Sequence, residues 1–299
     1  MQRVVYENIL SESVAFENKD PYVFRSVSGT GSTDIIVSSI NGASQDGETT
    51  YGLRKERREV DVIFHIEGKD ENGHESREAM YTKRRELCGV LAQRKAFNQD
   101  TKQRARLFYE NDSGRWWTWA VPETGPAFER RIRNFNFDIP LTFRCESPWW
   151  YSLTPERTVL AMSGEGFTLP FEFPIVFGSR DFAKTVSNIG HAPAPVEITV
   201  EGQGETPSLI NHSTGARIRL IAPLPAGYTL YINTDPSRLA VAMTTPEGVT
   251  SNAWGLLDPS GPLTAFTLRP GLNDIEYEPG GAAALSRITI QWYALYEGV

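Results

Sequence analysis

Four histidines are the residues of this sequence best suited to acid–base or metal chemistry, and they lie far apart. They are His65, His74, His191 and His212. No two of them have the HxH or HxxxH spacing of common metal-binding motifs, and His65 falls in a predicted strand, which favours a structural role. The sequence also lacks the GxSxG motif that presents a nucleophilic serine. We therefore predict a protein without catalytic activity, bound metal or cofactor.

Saccharide binding is the other chemistry that the residues allow. Trp254 lies in a predicted loop with Asn252 and Asp258 nearby, and an exposed indole can stack against a pyranose ring. The simpler interpretation is that Trp254 closes one end of a β-sandwich. A carbohydrate-binding adhesion module that recognises a host cell surface is therefore the alternative function.

The charge of the chain argues against specific nucleic-acid binding. The 299 residues include 30 Lys and Arg against 37 Asp and Glu, a net charge of -7. Residues 1–150 hold 22 basic against 23 acidic residues, and residues 151–299 hold 8 against 14. The short basic runs alternate with glutamates, whereas a nucleic-acid site usually has a clustered positive surface.

The sequence contains no recognisable secretion or membrane segment. Its first residues lack the apolar core of a signal peptide, and no apolar run approaches the ~20 residues of a membrane helix. We therefore expect synthesis and assembly in the cytoplasm. Cys88 and Cys145 form no CxxC or CxxH pattern, and we expect both to be buried, reduced thiols.

Alternating patterns predict that the elements of the first half are mainly strands. Apolar and polar residues alternate in residues 60–66, 115–121 and most clearly 133–145, as expected for strands with one buried face. Pro140 lies on the polar side of the last run. Because proline removes a ladder donor, we expect an edge strand or a bulge there.

One segment of the first half has a helical period instead. Within residues 76–93, three apolar residues fall on one face, namely Met80, Leu87 and Leu91, and Glu78 lies in the first turn. Arg84 falls inside this apolar stripe, so its guanidinium must reach solvent or a partner. The first half is therefore predicted to be an α+β domain.

The second half has the pattern of a β-sandwich. After residue 151 the charge density falls, and proline and glycine separate short β-rich runs about ten residues apart. We predict an N-terminal domain at residues 1–150 and a C-terminal β-sandwich at residues 151–299, with a connector at about residues 151–165.

Several stretches, in order, resemble the distal tail protein family of long-tailed phages that infect Gram-positive hosts. In the first half they are residues 20–24 (DPYVF), 45–47 (QDG), 58–62 (REVDV), 84–87 (RREL), 107–111 (LFYEN) and 134–143 (NFNFDIPLTF). Residues 147–151 (SPWWY) are similar to the family's Asp-Pro-Phe-Trp-Tyr junction signature, from which Ser147 and Trp149 depart. In the second half they are residues 194–198 (APVEI), 227–232 (GYTLYI), 270–275 (PGLNDI) and 292–299 (WYALYEGV).

The resemblance implies a virion structural protein at the phage tail tip, or baseplate, assembled in the host cytoplasm. It implies a hexameric ring of N-terminal, tail-tube-like domains with galectin-like C-terminal domains outside. The expected partners are five further copies of the chain, the tail tube protein and the tail-tip hub (tail-associated) protein, with the tape-measure protein and receptor-binding proteins as further candidates. DNA would pass through the channel without specific binding.

A candidate ring interface lies in residues 41–59, which we predict to be a nineteen-residue loop reaching a neighbouring subunit. The residues assigned to this arm are Gln45, Asp46, Gly47, Tyr51, Leu53, Arg57 and Arg58. Asp46 and Gly47 form a turn signal, Tyr51 and Leu53 would be buried in the neighbour, and the two arginines would set the register by charge pairing. The alternative is a solvated, mobile loop.

Overall fold

The computed structural model describes residues 2–70, 72–129, 131–133, 135–162, 180–280 and 286–299. Within these residues it is mainly β with a single α-helix. The chain divides into two compact units, Met1–Leu153 with Tyr296–Val299, and Thr154–Leu295. The predicted fold class, an α+β first domain followed by a β-sandwich, is confirmed.

The first unit is built on a large antiparallel sheet with one helix. Its elements are β1 (Arg3–Glu7), β2 (Ser13–Phe16), β3 (Tyr22–Ser28), β4 (Ile35–Ile40), β5 (Thr49–Lys55), β6 (Arg58–Glu67), α1 (Arg77–Val90), β7 (Arg106–Asn111), β8 (Gly114–Pro122), β9 (Arg131–Ile132), β10 (Phe135–Cys145) and β11 (Trp150–Ser152), with a 3-10 turn at Gln93–Lys95. The strand order in the large sheet is β2-β1-β7-β8-β10-β6-β3, and β9 and β11 pair beside this path. The strands β4 and β5 form a separate two-stranded sheet.

The alternating apolar residues of the large sheet form the core of the first unit. In β6 and β10 the buried positions include Val62, Phe64, Leu141 and Phe143. The register between these strands shifts between Asn136 and Ile139, where Asp138 has a φ of 48°. This bulge lies directly before Pro140 and confirms the irregularity that the proline predicted.

The helix follows its sequence signals closely. Ser76 caps its N-terminus by accepting a hydrogen bond from the Ala79 amide at 3.3 Å. Met80 and Leu87 are buried in the core of the sheet. The guanidinium of Arg84 lies 4.0 Å from the centre of the Phe128 ring, so this arginine is paired through a cation–π contact.

The second unit is a sandwich of two antiparallel sheets. Its strands are β12 (Glu156–Met162), β13 (Arg180–Asp181), β14 (Ala183–Asn188), β15 (Ala194–Glu201), β16 (Ser208–Asn211), β17 (Ala216–Arg219), β18 (Thr229–Asn233), β19 (Ala240–Thr244), β20 (Thr250–Asn252), β21 (Thr267–Leu268), β22 (Gly271–Glu278) and β23 (Arg287–Trp292), with 3-10 turns at Trp254–Leu256 and Leu263–Ala265. The larger sheet has the order β13-β12-β23-β15-β18-β19-β20, with β21 beside β15, and the smaller has the order β14-β22-β16-β17. Ile198 and Ile290 from the first sheet share one core with Leu209 and Ile275 from the second.

The division between the units differs from the prediction in two places. The connector expected at residues 151–165 is largely strand, because β12 pairs with β23 from Glu156 to Ala161 as part of the sandwich. Its residues 163–165 lie outside the described residues. The last residues, Tyr296–Val299, belong to the first unit and not to the second. The final strand, β24 (Leu295–Tyr296), pairs with β11.

The two cysteines lie in different environments. Cys145 is fully buried on β10, and burial raises the pKa of its thiol to about 12. Cys88 is exposed on α1, so the expectation that both thiols are buried was wrong for this one. Both are free. Among the described residues, no helix is long and apolar enough to cross a bilayer.

Candidate assembly surface

The segment predicted as a long loop is half of a β-hairpin. β4 and β5 pair in antiparallel register from Ile35 opposite Lys55 to Ile40 opposite Thr49, with a shift at Ser38 and Ser39. The loop between them therefore spans residues 41–48, and the nineteen-residue loop prediction was wrong. The signals for β5 are its β-branched and aromatic residues, which the dense charge downstream obscured.

The tip of the hairpin is closed by its own side chains. The Gln45 amide accepts a hydrogen bond from the Gly42 amide at 3.2 Å and donates one to the Thr49 hydroxyl at 2.8 Å. Gly47 has a φ of 82°, the left-handed conformation that favours glycine, and Asp46 beside it is exposed. Gln45 and Gly47 thus shape the turn.

Both strands of the hairpin expose large apolar side chains. Their exposed fractions range from 39% to 73%, for Ile35, Ile36, Val37, Ile40, Tyr51 and Leu53. Among the described residues, the hairpin contributes nothing to the core of the first unit. An isolated two-stranded hairpin is marginally stable in water, and a concentration of exposed apolar side chains usually marks an interaction surface. Tyr51 and Leu53 are the most exposed of these side chains, at 73% and 69%.

The two arginines assigned to the arm have different environments. Arg57 is exposed and pairs with Glu59, two residues along the chain, at 2.7 Å. Arg58 is 1% exposed. The assignment of Arg58 to intersubunit charge pairing was therefore wrong, because its side chain is enclosed within its own subunit.

The buried guanidinium of Arg58 is satisfied by backbone carbonyls. It donates hydrogen bonds to the backbone carbonyl oxygens of four residues: Gly29, Gly31 (2.6 Å), Pro148 (2.8 Å and 3.2 Å) and Glu297 (2.6 Å). Its central carbon also lies 5.2 Å from the centre of the Trp150 ring. Burial lowers the pKa of Arg58 to about 10, which leaves the group charged at neutral pH. Carbonyl dipoles and an aromatic face thus stabilise this buried cation.

The two polar side chains proposed for saccharide binding are engaged by the local backbone. Trp254 is 42% exposed at the start of a 3-10 turn, and the Asn252 side chain accepts a hydrogen bond from the Trp254 amide at 3.0 Å. The Asp258 carboxylate accepts one from the Ser260 amide at 2.9 Å, and hydrogen bonds from Ser260 lower the pKa of Asp258. Both polar side chains thus cap local backbone.

A cleft of about 450 Å³ lies on the second unit beside the edge strand β17. Its polar lining includes Arg217, Arg219 and Asp258, whereas Trp254 is not among its lining residues. Arg217 is already engaged by the Glu278 carboxylate at 3.1 Å. The aromatic platform and the polar cleft are therefore separate features.

Comparisons with known structures relate the whole chain to phage tail proteins. No protein-family model matches the sequence, and no curated protein is detectably similar to it. The crystal structure of the Dit protein of phage SPP1 matches with a TM-score of 0.63 and 13% identity, over 98% of this chain and 99% of that one. The chain has the fold of a phage Dit protein.

Baseplate structures extend this likeness. A chain of the phage P2 baseplate in its activated conformation with Ca matches with a TM-score of 0.57 and 13% identity, over 100% of this chain and 99% of that one. The baseplate with Sr matches with a TM-score of 0.56 and 14% identity, over the same shares. The Dit fold is therefore found in both units of this chain, despite a low identity.

Proposed function

We propose that this protein is a structural subunit of a phage tail tip, a distal tail protein whose six copies form a ring between the tail tube and the tip hub. The observation that carries this proposal is the correspondence with SPP1 Dit over nearly the full length of both chains. SPP1 Dit is described as a paradigm of the hub adsorption apparatus in phages that infect Gram-positive bacteria. The virion tail tip is the location that this role implies.

The surfaces of the first unit support a role in assembly. The β4–β5 hairpin exposes six large apolar side chains, and closed rings are built from repeated contacts between identical subunits. We propose that this hairpin packs against the neighbouring subunit, burying Tyr51 and Leu53. The function of the protein would then reside in its interfaces with other subunits, without a catalytic step.

The remaining partners follow from the same role. The ring would contact the tail tube protein and the tip hub protein, and the tape-measure protein and receptor-binding proteins are further partners. The second unit would be the galectin-like domain of the family. DNA would cross the ring without specific binding, because residues 1–150 carry nearly equal numbers of acidic and basic residues.

The ring can be tested with the purified full-length protein. Native mass spectrometry should detect a species of six chains, and negative-stain images should show six-fold rings with a central hole. Duplex DNA should not bind tightly at low salt. A monomer at every accessible concentration would contradict the proposal, and tight, salt-sensitive DNA binding would contradict the neutral channel.

The carbohydrate-binding alternative is not favoured by the structure. Asn252 and Asp258 accept hydrogen bonds from nearby backbone amides, and Trp254 does not line the polar cleft. The full-length correspondence is with tail and baseplate proteins.

A further inference from the structure

The hairpin is joined to the large sheet by two short connectors. Residues 29–34 lead from β3 into β4, and residues 56–57 lead from β5 into β6. One hydrogen bond, from the Glu56 amide to the Asp34 carbonyl at 2.9 Å, links the connectors directly. The Arg58 guanidinium and the Trp150 indole also donate to carbonyls of the first connector, at Gly31 (2.6 Å) and Thr30 (3.2 Å), so the angle of the hairpin depends on what contacts this connector.

The chain's last three residues supply contacts to the first connector. The Val299 amide donates to the Thr30 carbonyl at 3.1 Å, and the Glu297 carbonyl accepts from the buried Arg58, which also binds Gly31. Between these two bonds the backbone of Gly298 runs against Gly31. A Cβ atom at position 298 would lie 3.0 Å from the Gly31 Cα, so even the first atom of a side chain there would require a shift of a few tenths of an ångström, and a larger side chain would crowd the Gly31 backbone.

The Glu297 side chain reaches the end of the second hairpin strand. Its carboxylate lies 3.1 Å from the ammonium of Lys55, the last residue of β5. The same ammonium donates to the Ser32 hydroxyl at 3.1 Å and lies 5.5 Å from the centre of the Trp149 ring. The Lys55 side chain is 18% exposed and the Glu297 side chain 42%, so solvent partly screens this pair and its main effect is geometric. Both sides of the hairpin base thus meet one C-terminal segment.

We propose that residues 297–299 are a positioning element that fixes the angle of the β4–β5 hairpin, and that ring assembly depends on it. This inference rests on the proposed role of the hairpin as the ring interface. A surface that already has its binding geometry in the free subunit binds more tightly, because ordering it during association reduces affinity. Since residues 297–299 follow the entire second unit in the sequence, a chain whose second unit is not yet complete lacks this element. Assembly would therefore require that the second unit has already been synthesised.

Two variants disturb the element in different ways. A chain ending at Tyr296 removes all three residues but keeps β24, and Gly298→Leu keeps the length while forcing the segment away from Gly31. Gly261→Leu is the matched control, because a Cβ atom at position 261 meets nothing within 4 Å. Glu297→Gln removes only the charge on the side chain and keeps the backbone contact with Arg58.

Hydrogen exchange on dilute, unassembled protein tests the positioning directly. Amides of residues 29–34 and 55–58 should exchange at least tenfold faster in both disturbing variants, while those of β15 and β23 stay unchanged. Gly261→Leu should match the unmodified chain, and Glu297→Gln should lie much nearer to it than to the truncated chain. Unchanged exchange at the hairpin base in both disturbing variants would overturn the proposal.

Assembly gives the second readout. Sedimentation velocity should show rings for the unmodified chain and Gly261→Leu, and at least a tenfold higher concentration requirement for the two disturbing variants. If both disturbing variants form rings at the same concentration as the unmodified chain, assembly does not depend on residues 297–299, even if the amides at the hairpin base exchange faster. If the unmodified chain forms no rings at all, the proposed function fails, and the exchange measurement still decides the positioning.

Discussion

The β4–β5 hairpin and the loop around Trp254 both lie on the protein surface, but they differ in how much apolar surface they offer. The hairpin exposes six large apolar side chains on one short element, whereas the loop exposes Trp254, followed by the part-buried Leu256 and Leu257. Burying one large apolar side chain contributes roughly 1.5–3 kcal/mol to association. Of these two regions, the hairpin therefore offers more apolar surface for binding another protein.

Removing apolar side chains from the hairpin should have the largest effect. In the variant Ile40→Ser/Tyr51→Ser/Leu53→Ser we expect ring formation to weaken by about a thousandfold or more, since three buried contacts are lost. The fold should survive because all three side chains are exposed in the subunit. Analytical ultracentrifugation measures the shift.

The matched control for that variant lies in the second unit. Ile221→Ser/Val249→Ser/Leu272→Ser changes three side chains that are 56–63% exposed. It should assemble like the unmodified chain. Equal loss of rings in both triple variants would show that the hairpin is no more important for assembly than other exposed apolar side chains.

The second unit alone should behave as an autonomous, monomeric domain. A fragment spanning Thr154–Leu295 contains both sheets of the sandwich and their shared core, so we expect a soluble product with β-type circular dichroism and cooperative melting. It should remain monomeric at concentrations where the full chain forms rings. A molten product would mean that its core is incomplete without the first unit. Self-assembly of the fragment would mean that the second unit, and not the hairpin, holds the main interface.

Truncating the aromatic side chain of the loop should have a small effect. Trp254→Ala should lower the free energy of unfolding by about 1–2 kcal/mol, because the indole is only partly buried. Ring formation should not change. Glycan arrays should show no saturable binding for either protein. Saturable binding that Trp254→Ala abolishes would restore the saccharide-binding interpretation.

Thiol reactivity provides the smallest signal and reports on the base of the hairpin. Cys145 lies opposite Arg58 in the β6–β10 pair, and burial raises the pKa of its thiol to about 12, so little thiolate forms at pH 8. Cys88 is exposed. We expect one thiol to react with Ellman's reagent in native protein and two in denaturant. Rapid reaction of two thiols in native protein would mean that this part of the sheet opens readily.

Periodicity in the sequence was sufficient for much of the fold. The alternation in residues 60–66, 115–121 and 133–145 predicted three central strands because each buries one face in the core. The helical spacing of Met80 and Leu87 predicted α1 for the same reason. These elements obey the rule that a buried face repeats with the period of its secondary structure.

The second hairpin strand, β5, and the role of Arg58 were beyond such reasoning. The apolar run Ile35, Ile36 and Val37 is typical of a strand, but all three side chains are exposed, so the hairpin lacks the alternation that a core imposes and its pairing was not predicted. Arg58 stands in a basic run typical of a solvated surface. Its acceptors are backbone carbonyls at Gly29, Gly31, Pro148 and Glu297, which no side-chain pattern reveals. The return of the C-terminal segment to the first unit was hidden for the same reason.

Site-specific photo-cross-linking tests the central claim most directly, because it asks whether the hairpin touches another copy of the chain. A photoreactive phenylalanine derivative is placed at Tyr51 in one protein and at Trp254 in a second, and both are irradiated at the assembly concentration. The account predicts a ladder of linked chains up to six from position 51 and only monomers from position 254. Monomers from position 51, or a ladder from position 254 alone, would contradict it.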